Sequence, residues 1–206
     1  MEILTEENLR ECAQLLAGRD PDLSRILRQF GPPPLWARKP GFATLVHIIL
    51  EQQVSLASAK AAFNRLRENI SVVTPQRFLT LDDVTLKAIG FSRQKTGYCR
   101  LLAQALVDRE INLNKFNRMS DDKIREELKK LKGVGDWTAD IYLLMALRRP
   151  DIWPRGDLAL LVAMQKLKSF PFRPTQSEFE EIGKKWRPYR SVAARMLWYF
   201  YLDGER

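Results

Sequence analysis

Apolar residues recur at helical spacing along almost the whole chain, and short breaks rich in Pro and Gly divide them into segments. Phe42, Leu45, Val46 and Ile49 trace an i, i+3, i+4, i+7 stripe, the mark of one buried helix face. Leu56, Ala59, Phe63 and Leu66 form another, with Ser55 placed before it as an N-cap. Asp20 followed by Pro21 predicts a helix start, and GPPP from Gly31 to Pro34 stops that helix. Asp82 predicts a short helix ending at Gly90, and Ser92 opens the next. Further helices are predicted over 121–130, 137–147, 157–168, 177–185 and 189–201. The β-like fragment from Ile70 to Val73 is too short to build a sheet. The pattern predicts an all-α fold.

One stretch repeats another. LKAIGFSRQKTGYCRLLAQAL, from Leu86, and LKKLKGVGDWTADIYLLMAL, from Leu128, each read as a short helix, a tight turn and a second helix. Only the later copy carries a Gly-x-Gly edge, at Gly133 and Gly135. Such glycines permit backbone angles closed to other residues and clear side chains from the approach. The amides of Gly133, Gly135 and Thr138 can then face outward at a helix N-terminus, a cradle for a phosphate that reads no sequence. The plainer reading is a helix–helix turn in which glycine only relieves strain.

Composition narrows the partners. The 206 residues suffice for one large domain or two packed lobes. Lys and Arg total 34 against 25 Asp and Glu, a net charge of +9, which favours a polyanion: nucleic acid first, an anionic membrane second. The acidic, amphipathic start MEILTEENLREC lacks the basic start and apolar core of a signal peptide, and no apolar run approaches the ~20 residues of a membrane span. Cys12 and Cys99 cannot provide an iron–sulfur cluster or a Cys-rich zinc site, and read as free thiols in a reducing compartment.

LKGVGDWTADIYLLMAL followed by PRGDLAL resembles the helix-hairpin-helix DNA glycosylases, and within them the 3-methyladenine (alkylpurine) branch. IILEQQVSLASAKAA (Ile48 to Ala62) is similar to that family's segment bearing the DNA-intercalating residue. GFSRQKTGYCRLLA (Gly90 to Ala103) resembles its first hairpin, and WRPYRSVAARMLWY (Trp186 to Tyr199) its closing helix. The resemblance spans about Phe42 to Tyr201 in four ordered motifs.

By motif, Asp157 matches the catalytic aspartate, although it reads equally as a helix N-cap. Trp137 stands where bifunctional members hold a Schiff-base lysine, and Trp137 and Trp198 match aromatic base-pocket positions, although Trp on a helical stripe is ordinarily core. Gln53 matches the residue that plugs the gap left by a flipped nucleotide, with Ser55 and Ser92 as possible helpers; the plain alternatives are a buried amide and two N-caps. The resemblance further implies that carbonyls of Lys129, Leu131 and Val134 hold Na+ or K+ at the hairpin. No divalent-metal cluster is visible, and none is expected to be required. His47 reads as structural or phosphate-facing, and Arg155 as phosphate-binding or carbonyl-capping. Leu158 and Ile141 stand where relatives can carry tyrosine, a departure that bears on pocket shape rather than reaction type.

The reading is therefore one glycosylase domain in two helical lobes flanking a DNA cleft: residues 39–149 with the hairpin near 131–136, and 1–38 with 150–206. The implied function is monofunctional excision of alkylated purines from duplex DNA, by a monomer in the bacterial cytoplasm beside the nucleoid or in a eukaryotic nucleus. The rivals are a glycosylase for another purine lesion, deaminated or oxidised, or one that also nicks abasic DNA, and a non-catalytic helix-hairpin-helix DNA-binding module.

Overall fold

Local capping chemistry sets where most helices begin. The computed structural model describes residues 3–203 and holds twelve α-helices and no strand among them. In chain order, α1 (Glu6–Ala17) starts from a Thr5–Asn8 capping box, and α2 (Pro21–Phe30) from Asp20, whose carboxylate accepts the Asp22 and Leu23 amides. Then come α3 (Phe42–Glu51), α4 (Leu56–Ile70), α5 (Pro75–Leu79), α6 (Asp83–Ile89) and α7 (Arg93–Val107). Ser55, Asp82 and Ser92 cap α4, α6 and α7. A 3₁₀ turn, Leu113–Arg118, leads to α8 (Asp121–Lys129) and α9 (Asp136–Ile141). The last three are α10 (Leu158–Leu167), α11 (Gln176–Lys184) and α12 (Arg190–Asp203). Ile70 to Val73 closes α4 and turns, forming no strand.

The continuous helix predicted over 137–147 is not formed. After α9 the backbone widens into a π turn, Tyr142–Ala146. Its first residue is fastened from outside: the Tyr142 hydroxyl accepts the Gly41 amide at 3.0 Å, and burial pushes that phenol up to about 12. Periodicity cannot register such a change, because the run stays apolar throughout.

The chain divides into two compact units. One comprises the residues up to Ala37 and from Leu143 onward; the other is Arg38–Tyr142. The second junction thus falls at 142/143, inside the apolar run, rather than at the proline-marked 149/150 expected from sequence. The physical reason lies in the segment just past it. The Leu144 carbonyl accepts from Arg195 and the Arg148 carbonyl from the Leu4 amide, both partners in the first unit.

In the first unit α12 packs on α1, α2 and α10 around Leu9, Leu16, Ile26, Leu160, Met164 and Leu197. The fully buried Arg195 donates to the carbonyls of Leu35, Leu144 and Ser191, and burial pulls its guanidinium down to about 9. In the second unit α3 packs against α4, α7 and α9 around Leu45, Ile49, Leu66, Phe78, Cys99 and Leu102. Cys12 and Cys99 are both buried, and burial drives the Cys99 thiol far above its usual value. No helix among the described residues is long and apolar enough to cross a membrane.

Candidate active site

In the first unit Asp157 ends the loop that leads into α10. It is 7% exposed and is the N-cap of that helix, its Oδ1 accepting the Leu160 amide at 2.9 Å. The same oxygen accepts the Trp198 indole N–H at 3.1 Å. Capping and carboxylate presentation therefore coexist in one side chain. Donors converging on one oxygen fix the orientation of the carboxyl group.

The loop is held firmly along its length. Arg190 makes a forked ion pair to Asp151, with Nε–Oδ1 at 2.7 Å and Nη2–Oδ2 at 2.9 Å. Ser191 accepts the Ile152 amide at 2.9 Å, and its own amide donates to the Pro150 carbonyl at 3.0 Å. Seven residues, or two turns, separate Ser191 from Trp198, so one face of α12 fastens the loop at one point and grips Asp157 at another. Beneath the loop, Trp153 stacks on Phe179 at 4.4 Å and packs so closely on Gly183 that a Cβ there would lie 2.7 Å from its indole nitrogen. Arg155 pairs with Glu180 at 3.4 Å.

Trp198, read from sequence as a base platform, turns its N–H edge to Asp157 and is 8% exposed. Its ring meets Trp36 edge-on at 6.4 Å. Neither the Asp157 contact nor Trp36 was marked by the sequence. Leu158 is exposed beside Asp157, whereas Ile141 is buried in the other unit's core.

The second unit holds the hairpin, between α8 and α9. Its two glycines differ. Gly133 has φ 89°, and a Cβ there would collide with the Tyr98 ring. Gly135 has φ −98°, open to any residue, and a Cβ would meet nothing within 4 Å. The expectation of special backbone angles therefore fails at Gly135, which keeps the approach clear without relieving strain. Gly135 is the N-cap of α9 and offers no side chain, so its helix start is left without a side-chain cap. Thr138 is buried, its Oγ1 accepting from Gln52 at 2.8 Å, so its backbone amide and not its hydroxyl is what suits an anion. Trp137 follows, half-buried. Across the hairpin Lys129 pairs with Asp136 at 2.5 Å, offsetting a carboxylate beside that helix start.

The carbonyls of Lys129, Leu131 and Val134 are hard oxygen donors of a type that suits a monovalent cation. Lys129 ends α8, where helix carbonyls lack intrahelical partners, and the Leu131 carbonyl accepts only the Val134 amide at 3.1 Å among the backbone bonds, keeping a lone pair. The donor set fits such an ion. No group of three or more His, Cys, Asp or Glu able to hold a metal occurs among the described residues.

Gln53 occupies the turn after α3, exposed and left-handed at φ 56°, with Val54 and Leu56 exposed beside it. The bonded amide suggested as its alternative role belongs to Gln52, which donates to the Gly133 carbonyl at 2.9 Å. Ser55 and Ser92 act as N-caps, accepting the amides of Ser58 and Lys95, both at 3.2 Å. Gln53, Lys95, Tyr98, Gly133 and Gly135 line a recess of about 360 Å³. Sequence reasoning missed Gln52 and Tyr98, and it did not anticipate the bonds of Lys95. His47 stacks on Phe63 at 4.3 Å; burial lowers its pKa, partly offset by Glu51, and it reads as structural.

Asp157 with Trp198 thus belongs to one unit, and the hairpin with the Gln53 turn to the other. Residues 46–188 match the family described as HhH-GPD superfamily base excision DNA repair protein, and the chain belongs to that family. It is 26% identical over 200 residues to the alkylbase DNA glycosidase-like protein mag2 of Schizosaccharomyces pombe, covering 94% of each chain. It is 28% identical over 190 residues to DNA-3-methyladenine glycosylase 1 of the same yeast, covering 89% of this chain and 83% of that one. Among solved structures, the yeast 3-methyladenine DNA glycosylase Mag1 in complex with abasic DNA superposes with a TM-score of 0.85 at 26% identity, over 95% and 97% of the two chains. A DNA-3-methyladenine glycosidase from Bacillus halodurans gives 0.76 at 25% identity, over 91% and 87%.

Proposed function

We propose that this protein is a monofunctional DNA glycosylase that excises alkylated purines, of the 3-methyladenine and 7-methylguanine type, from duplex DNA in base excision repair. The observation that carries the reading is Asp157, a nearly buried carboxylate held through one oxygen by the Leu160 amide and the Trp198 indole. The names of the relatives support the substrate class.

The steps follow from the side chains. Amides at the start of α9 bind a backbone phosphate, positioning the duplex without reading bases. The carbonyls of Lys129, Leu131 and Val134 would hold Na+ or K+, which supplies further positive charge toward that phosphate. The target nucleotide swings out, at a cost of a few kcal/mol for unstacking, and Gln53 fills the gap. Trp137 offers a ring face to the flipped base, and a cationic methylated purine favours such a face. As the glycosidic bond breaks, the sugar gains oxocarbenium character, and the Asp157 carboxylate stabilises it and orients the water that attacks C1′. A leaving group that is already cationic needs little protonation. With Trp137 in the lysine slot no amine is placed at C1′, and the Lys95 ammonium is engaged by two carbonyls. The activity belongs where chromosomal DNA is kept.

A panel of short duplexes, each with one lesion, tests the reading. Base should be released from alkylated purines with the backbone intact, breaks should appear only after alkali, and borohydride should trap no adduct. Release confined to oxidised or deaminated purines would overturn the substrate class, and no release at all would overturn the enzyme.

A further inference from the structure

The turn that carries Gln53 is not self-supporting. An L-residue at φ 56° sits in the sparsely populated left-handed region, and such conformations persist only where surrounding contacts over-determine them. Those contacts come from α7. The Lys95 ammonium donates to the Leu50 carbonyl at 2.7 Å and the Gln52 carbonyl at 2.8 Å, satisfying the C-terminal end of α3 with a cation on the favourable side of its dipole. Gln52 then faces the other way. Its side-chain amide spends its donors on the Gly133 carbonyl at 2.9 Å and Thr138 Oγ1 at 2.8 Å, both in the hairpin. Tyr98, three residues after Lys95 and on the same face of α7, lies against Gly133 where a side chain would stand. One helix face thus supports both the turn and the hairpin, and Gln52 ties the two together.

We infer that Lys95 and Gln52 are positioning residues that pre-form the Gln53 turn and lock it in register with the glycine hairpin. Gap filling and phosphate capture are then set by one rigid assembly before DNA arrives. The inference rests on the excision reading for its meaning but not for its measurement. Neither side chain touches the reacting bond; their effect falls on base extrusion.

The test compares two duplexes containing 7-methylguanine, one opposite cytosine and one opposite an abasic spacer, where no pairing opposes extrusion. Lys95→Met keeps the stem and removes the donor. Single-turnover excision should fall about tenfold on the paired substrate and less than about twofold on the unpaired one, with Lys95→Arg restoring much of the loss. A 2-aminopurine beside the lesion should brighten less with the variant than with wild type. Equal losses on both duplexes, or no loss on either, would overturn the inference. If Lys95→Met does not fold, Gln52→Met is read by the same criterion. Should wild type release no base from either duplex, the excision reading fails while the brace is still judged by binding. Wild type should prefer an abasic-analogue duplex to an intact one. Loss of that preference in Lys95→Met supports the brace, and its retention overturns it.

Discussion

Asp157 shows how one residue carries two roles through one atom. Its Oδ1 caps α10 and accepts from Trp198. Asp157→Asn keeps the size and the capping oxygen but removes the charge that the proposed mechanism sets against the sugar. Single-turnover excision should fall by roughly 10²–10³-fold while duplex affinity holds, because the loss lies in the transition state. Near-normal rates in that variant would remove Asp157 from the chemistry. In sequence this residue could be read only as a cap after Pro-Arg-Gly, and only the resemblance distinguished it. Trp198 is harder still to read. Its partner lies 41 residues away, and an indole that donates a hydrogen bond leaves the same apolar mark on a helix as one that merely fills space.

The elements were legible where their causes are local. Asp20, Ser55, Asp82 and Ser92 each start a helix as their side chains predict. Contacts that act across the chain were not legible: the π turn after α9 begins at a tyrosine whose hydroxyl is engaged 101 residues away, and Gln52 reaches 81 residues to Gly133. The hairpin glycines, alike in sequence, should part company in experiment. Gly133→Ala forces an L-residue to φ 89° and a methyl into the Tyr98 ring, so thermal unfolding should show a loss of at least ~1–2 kcal/mol. Gly135→Ala meets open space at an ordinary φ and should stay within about 0.5 kcal/mol of wild type. Its methyl should nonetheless weaken binding to every duplex alike. Unchanged binding in a stable Gly135→Ala protein would remove that position from the phosphate site.

For the whole molecule, composition pointed to a polyanion and could go no further. The +9 charge belongs to a reading in which affinity is largely electrostatic. The affinity for undamaged duplex should fall linearly on a log–log plot against salt, with a slope of about 0.9 per phosphate neutralised. The excision rate of saturated enzyme should barely respond, since the Asp157 site is shielded by burial. A salt-independent affinity would mean that the basic excess serves something other than DNA. The division into two units at 142/143 escaped the sequence because the junction lies within IYLLMAL, an unbroken apolar run.

The burial of Cys12 and Cys99 gives the molecule a surface without reactive sulfur. Gln53→Cys would therefore add the single thiol open to labelling, at the exposed tip of the turn. An environment-sensitive dye attached there would report entry into the base stack in real time. A disulfide tether to a modified nucleotide would hold the protein on one chosen base pair, so that successive stages of the search for damage could be arrested and compared.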